Sequence, residues 1–269
     1  MAMPVANARM YSVSPRVKHA WERLLRWVLD DAALPWEVIG YDAPQPLNAL
    51  WARDDLGLVM MCGLPTARRT PRPQVIAAPI PSPARYQGLA RYCTDLVVRA
   101  GAPYQRLEDT FGGVAAYTLA DSMSGAIAFN AHLQAFRSPE RPRLYARSVG
   151  NLVNARGVID ALVRGEADVG PLDSYYHDLL RQDDPAYAAQ VRTIASTRWT
   201  PIPPLVATAT PTASQIDRLR ASLRHAIEHP ELAPERACLL LAGFAIPDAS
   251  EYDVLERIAE QPLPSLEEL

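Results

Sequence analysis

The sequence predicts an α/β fold, and three observations lead there. Short apolar runs rich in strand-forming residues alternate with helix-period stretches from one end to the other. Several of these runs stop at small or turn-forming residues that also suit helix N-caps, as in “DSMSG” at 121–125. The length, 269 residues at 49% hydrophobic and 21% charged, is that of a soluble chain with room for one large domain or two lobes.

The elements follow in order. “ARMYSV” is expected as a first strand, followed by a helix over “SPRVKHAWERLLRWVL”. Ser14 suits its N-cap and Pro15 its first position, while Trp21, Leu24 and Val28 share one face with Val17. Further strands are expected at “WEVIGY”, “LGLVMMC”, “QVIAAPI”, “DLVVRA”, “GGVAAYT”, “RLYARSV”, “ADVGPL”, “VRTIAS” and “PLVATA”, with helices between several of them. Asn154 can cap a helix that runs to Arg164 and closes at Gly165. Thr212 and Gln215 form a capping-box pattern before “IDRLRASLRHAI”. Strands alternating with helices imply mostly parallel sheets.

Pro-rich stretches flank two of the strand-like runs: “LPTARRTPRPQ” with “PIPSPARY”, and “RWTPIPPL”. Two crossings there would divide the chain into a discontinuous lobe, 1–95 plus 199–269, and an inserted lobe, 96–198. Two such lobes make a hinge with a cleft, and open α/β sheets bind ligands at strand C-termini.

Composition excludes some functions. A formal net charge of −3 gives no broad positive field for nucleic acid. Lys18 is the only lysine, and it falls in a surface-helix pattern, which leaves no Schiff-base enzyme and no P-loop. Cys62, Cys93 and Cys238 match no zinc or redox spacing. No apolar run spans a membrane, and “MAMPVANARMYSV” lacks a secretory pattern. The expected location is therefore the periplasm if a leader has been removed, and otherwise the cytoplasm. His225 and His229 stand at i, i+4, but Pro230 ends that helix and no third ligand is evident. No metal and no cofactor is expected.

Three strand-to-helix joints are candidates for chemistry. At “DSMSG”, Ser122 and Ser124 can place hydroxyls at a helix start, while Gly125 allows close approach to the backbone. Free N–H groups and the helix dipole would hold an oxyanion there without a lysine. The plainer reading is a single N-cap by Asp121 or Ser122. At “LVMMCGLPT”, Cys62 and Gly63 end a buried strand and form a tight turn, with the cysteine either lining a cleft or inert. At “ADVGPLDSYYHDLL”, Asp173 either meets a ligand amine or hydroxyl or caps the helix that follows. Tyr11 and Trp199 lie beside strand ends and could wall a cleft.

Taken together, these pieces resemble the PhnD/SsuA-like solute-binding proteins of phosphonate- and phosphate-type ABC transporters. The carrying stretches are “MYSVSPRVKHAWERLL”, “VMMCGLP”, “PSPARYQGLARYCTDLVVRAGAPYQRLEDTFG”, “DSMSG”, “VRGEADVGPLDS” and “TPIPPLVAT”, in that order along nearly the whole chain. The resemblance implies a type II periplasmic-binding fold, with two α/β lobes closing on a ligand and no catalysis. It implies an oxyanion held by Ser122, Met123, Ser124 and Gly125, and a cleft lined by Tyr11, Cys62, Gly63, Tyr86, Asn154 and Asp173. The implied partners are a small anionic solute and an ABC permease, with no nucleic acid, no membrane insertion and a monomeric chain. A Gly-Ser-His turn expected before the second helix is replaced by Val153, Asn154 and Ala155, and a tyrosine expected after the Cys-Gly pair by Leu64. These departures point to altered specificity. A cytoplasmic enzyme on the same fold, of the cofactor-biosynthesis type, and a ligand-sensing module remain the alternatives.

Overall fold

The computed structural model describes residues 3–42, 45–209 and 211–269. The chain divides into two compact units, Met1–Arg91 with Pro201–Asp253, and Tyr92–Thr200 with Val254–Leu269.

The first unit opens with β1 (Val5–Asn7), a 3₁₀ turn (Arg9–Tyr11) and helix α1 (Pro15–Asp31). Ser14 caps α1 by accepting from the Val17 N–H at 3.2 Å, and Trp21, Leu24 and Val28 are buried on its inner face. Next come β2 (Glu37–Val38), α2 (Leu47–Trp51), β3 (Leu56–Met60), α3 (Gly63–Arg68) and β4 (Gln74–Pro81). β5 (Arg91–Tyr92) leads out of the unit.

The second unit contains β6 (Thr94–Arg99), β7 (Val114–Ala116), a π-helical turn (Met123–Ile127) running into α4 (Ala128–Leu133), β8 (Arg147–Val149), α5 (Ala155–Val163), β9 (Gly170–Asp173), α6 (Ser174–Asp183), α7 (Pro185–Ala188) and β10 (Val191–Ser196). The chain then passes through β11 (Thr200–Pro201) to β12 (Leu205–Ala207), α8 (Ala213–Glu228), α9 (Ala233–Cys238), β13 (Leu241–Ala245) and α10 (Asp253–Ala259). The Thr212–Gln215 capping box forms with both of its hydrogen bonds, at 2.8 and 3.3 Å.

The first unit's sheet has the order β13-β4-β12-β3-β1-β2. β1 runs parallel to β2 and β3, whereas β12 lies antiparallel to β3 and β4, and β13 antiparallel to β4. In the second unit β6 pairs antiparallel with both β10 and β9, and β7 pairs parallel with β8. Along β6 the side chains alternate between two cores. Leu96 and Val98 pack with Phe129, Leu133 and Tyr145; Val97 packs with Val158, Ile159 and Leu162.

The α/β class therefore holds, but the sheets are mixed rather than mostly parallel. β12 lies between β3 and β4 and runs antiparallel to both. The first strand is “VAN”, and “ARMYSV” forms the 3₁₀ turn and the link to the α1 cap. β13 has no counterpart among the expected strands. The chain also passes between units a third time, at Asp253–Val254, where the sequence reading kept 254–269 with the first lobe. Hydrogen bonds hold that tail in the second unit. The Leu144 and Tyr145 N–H groups donate to Leu269 O at 3.2 and 2.8 Å, and Asn130 Nδ2 donates to Pro264 O at 2.8 Å.

Candidate functional site

In the first unit, β1, β3 and β4 run the same way, because β12 is antiparallel to both β3 and β4. The turn ending at Tyr11, the start of α3 at Cys62–Gly63 and the 3₁₀ turn Ala84–Tyr86 each follow one of these strands, so they share a sheet edge. Their side chains face inward: Tyr11, Cys62 and Tyr86 are all buried. The Cys62 carbonyl accepts from Thr66 N and Thr66 Oγ1 at 3.1 and 3.0 Å, which fixes the first turn of α3. All three cysteines are unpaired with one another.

In the second unit, β7 and β8 are parallel, and Ala115 bridges in parallel to Val169, just before β9. Three helical segments thus begin at one edge, each after a strand: the Met123 turn after β7, α5 after β8 and α6 after β9. Their caps differ. Asn154 Oδ1 accepts from Gly157 N at 3.1 Å, and Asn154 itself is exposed. The chain reaches it through Asn151 and Val153 at φ of 57° and 66°, and Val153 is left exposed. A left-handed backbone is costly for a β-branched residue. Asp173 Oδ1 accepts from both Tyr175 N and Tyr176 N, at 2.9 and 3.1 Å. Of its two expected roles, the structure displays the cap.

The Ser122 joint is built otherwise. Ser122 Oγ accepts from Gly125 N at 3.1 Å, and the Ser122 carbonyl takes both Ala126 N and Ile127 N at 3.1 Å, the π-helical step. Single π turns concentrate at functional sites. The N–H groups of Met123 and Ser124 have no acceptor among the described residues, and the Ser124 hydroxyl makes no bond among them. Thr94 Oγ1 braces the turn by donating to Ser124 O at 3.1 Å. Met123 is fully buried. Asp121 is exposed.

Gly125 is also required by packing. A Cβ there would stand 1.8 Å from Thr118 Oγ1, so packing against Thr118 requires the glycine. Thr118 and Thr94 were not singled out in the sequence. The signal for Thr118 was a hydroxyl residue ending the “GGVAAYT” run, only four positions before Ser122.

Other features bear on chemistry. A groove of about 250 Å³ runs along α4, lined by Ala128, Ala131 and His132 with Thr197, Arg198 and Gln261. Burial lowers the pKa of His132, favouring the neutral ring. Trp199, beside this groove in sequence, is partly exposed. His177 Nδ1 lies 3.0 Å from Asp95 Oδ2, and Ser196 Oγ donates to Asp95 Oδ1 at 2.9 Å. His177 and Asp95 are fully buried, so this acid–base couple is sealed from any solute. Among the described residues, no group of His, Cys, Asp or Glu is arranged to hold a metal.

A family model for the periplasmic substrate-binding protein of phosphonate ABC transporters matches residues 11–252. Among solved structures, the chain is similar to a binding protein component of an ABC phosphonate transporter from Pseudomonas aeruginosa. Identity is 16% with a TM-score of 0.76, over 96% of this chain and 86% of that one. It is similar to PhnD1 from Prochlorococcus marinus in complex with methylphosphonate, at 14% identity and a TM-score of 0.74, over 96% and 97%. It is also similar to a Xanthomonas citri protein bound to ATP, at 19% identity and a TM-score of 0.63, over 96% of each chain. At these identities the structural likeness is one of fold. No curated protein matches the chain by sequence.

Proposed function

The chain belongs to the phosphonate-type periplasmic substrate-binding proteins of ABC transporters, and we propose that it captures a small phosphonate- or phosphate-like oxyanion at the Ser122 joint. One observation carries this reading: the Met123 and Ser124 N–H groups, at the positive end of a helix dipole, have no acceptor. The Ser124 hydroxyl beside them is also without a partner, and together they supply donors to an anion with no lysine. The Asp173 joint serves less well, because its carboxylate already accepts from both Tyr175 N and Tyr176 N.

As a binding protein, the chain works beside an ABC permease and performs no chemistry on its solute. It acts as a monomer on the outer side of the cytoplasmic membrane. The lack of an imidazole at Val153–Ala155 and the apolar Leu64 suit a solute other than the usual alkylphosphonate.

A thermal-shift and calorimetric panel of phosphate, phosphite, methylphosphonate, alkylsulfonates, acetate and ATP tests this. A ligand at 100 times its Kd stabilises the fold by about 2.7 kcal/mol. One tetrahedral oxyanion should raise the melting midpoint, and Ser124→Ala should weaken it by about tenfold or more, one hydrogen bond to a charged group. Silence across the panel from folded protein, or equal binding by Ser124→Ala, would count against the reading.

A further inference from the structure

We propose that Thr118 is a further ligand-contacting residue of this site, its hydroxyl donating to the bound oxyanion alongside Ser124. The inference rests on the Ser122 joint being the anion seat.

Thr118 lies just past β7 and is held by its backbone, whose N–H donates to Gly125 O at 3.0 Å. Thr118 is 7% exposed, and Oγ1 is enclosed with no hydrogen-bond partner among the described residues. Buried hydroxyls are almost always paired, so one without a partner calls for an explanation. Its position supplies one. The point where a Gly125 Cβ would sit is 1.8 Å from Thr118 Oγ1 and 2.9 Å from Ser122 Oγ. The Thr118 hydroxyl therefore lies against the first helical turn, on the flank that carries the Ser122 cap.

Ser122 Oγ already accepts from Gly125 N, and the adjoining Met123 and Ser124 N–H groups await an acceptor. Among the described residues, four donors (two peptide N–H groups and the hydroxyls of Ser124 and Thr118) thus lack an acceptor around this turn. A carboxylate has two oxygens to share among them. A phosphonate or phosphate group has three or four, each able to accept more than once, and meets this set more fully. The rotor of a threonine hydroxyl lets the proton swing onto such a ligand without moving the backbone.

Titration calorimetry with methylphosphonate and with inorganic phosphate, on wild type, Thr118→Val, Thr118→Ser and Ser124→Ala, tests this, together with melting of each free protein. Valine keeps the shape and removes the hydroxyl. The expected result for Thr118→Val is about tenfold weaker binding, the loss of one hydrogen bond to an anion, with a free-protein midpoint no lower than wild type. Thr118→Ser should bind within about threefold of wild type, since it restores the donor. Equal binding by wild type and Thr118→Val, with Ser124→Ala impaired, would overturn the role of Thr118 and leave the seat standing. A lowered free-protein midpoint in Thr118→Val would also overturn it, because the hydroxyl would then have a structural partner. If wild type binds neither probe, the seat reading fails and this inference fails with it.

Discussion

Two joints of the second unit look alike in sequence and differ in what they leave available. Both “LADSMSG” and “GPLDSYY” end a strand, place a polar cap and start a helix. At Asp173 the carboxylate accepts from the second and third N–H groups of α6 and the Ser174 N–H donates to Cys93 O, so the positive end of that helix is already neutralised. At Ser122 an uncharged hydroxyl accepts from Gly125 N alone, and the Met123 and Ser124 N–H groups stay unpaired. One helix start is satisfied by its own side chain, and the other keeps two N–H groups without an acceptor among the described residues. The charge of the cap makes the difference, more than the helix it caps.

The sharpest way to break this comparison is to make the first joint resemble the second. Ser122→Asp keeps a good N-cap, since Asp and Ser rank together there. It also sets a negative charge beside the bound anion, where like charges about 4 Å apart repel by about 4 kcal/mol in a partly screened site. Oxyanion affinity should fall by about a hundredfold or more with the melting midpoint nearly unchanged, as measured by calorimetry and thermal melting. Retained affinity would mean that the anion sits elsewhere.

A second change sharpens the role of packing at the Ser122 joint. Gly125→Ala drives a methyl group to within 1.8 Å of Thr118 Oγ1. Overpacking of this kind costs about 1–3 kcal/mol. Denaturant unfolding should show that loss, and the double variant with Thr118→Ala should recover most of it. If both cost the same, Thr118 does not fill that space.

The smallest effect belongs to the Asp173 joint. Asp173→Ala removes a cap worth about 1 kcal/mol, a fall of about 3 °C for a chain of this size. Oxyanion affinity at the other joint should not drop. A large loss of affinity in this variant would restore Asp173 as a ligand residue.

Much of this was legible because it is local. The Ser14 cap, the Asn154 cap and the Thr212–Gln215 box each depend on residues three apart, and all three form. The strand “VRTIAS” coincides with β10 for the same reason, a short run of residues suited to a pleated surface. What escaped is non-local. The direction of β12 depends on which strands it meets, and β13 takes its partner from β4, more than a hundred residues earlier. The burial of Tyr11 and Tyr86 follows from packing that no spacing encodes. Gly125 was legible as a close approach, and Thr118 is one group that approaches it. At Asp173 both roles were consistent with the sequence, and the cap is present at the start of α6.

Amide chemical shifts during titration with methylphosphonate and phosphate test the central claim most directly. A new hydrogen bond to an anion moves an amide proton downfield, so the two joints can be read separately in one experiment. The account predicts large downfield shifts for the Met123 and Ser124 amides at saturation, with Tyr175 and Tyr176 nearly still. Saturable binding that leaves Met123 and Ser124 unmoved, or that moves Tyr175 and Tyr176 instead, would contradict it.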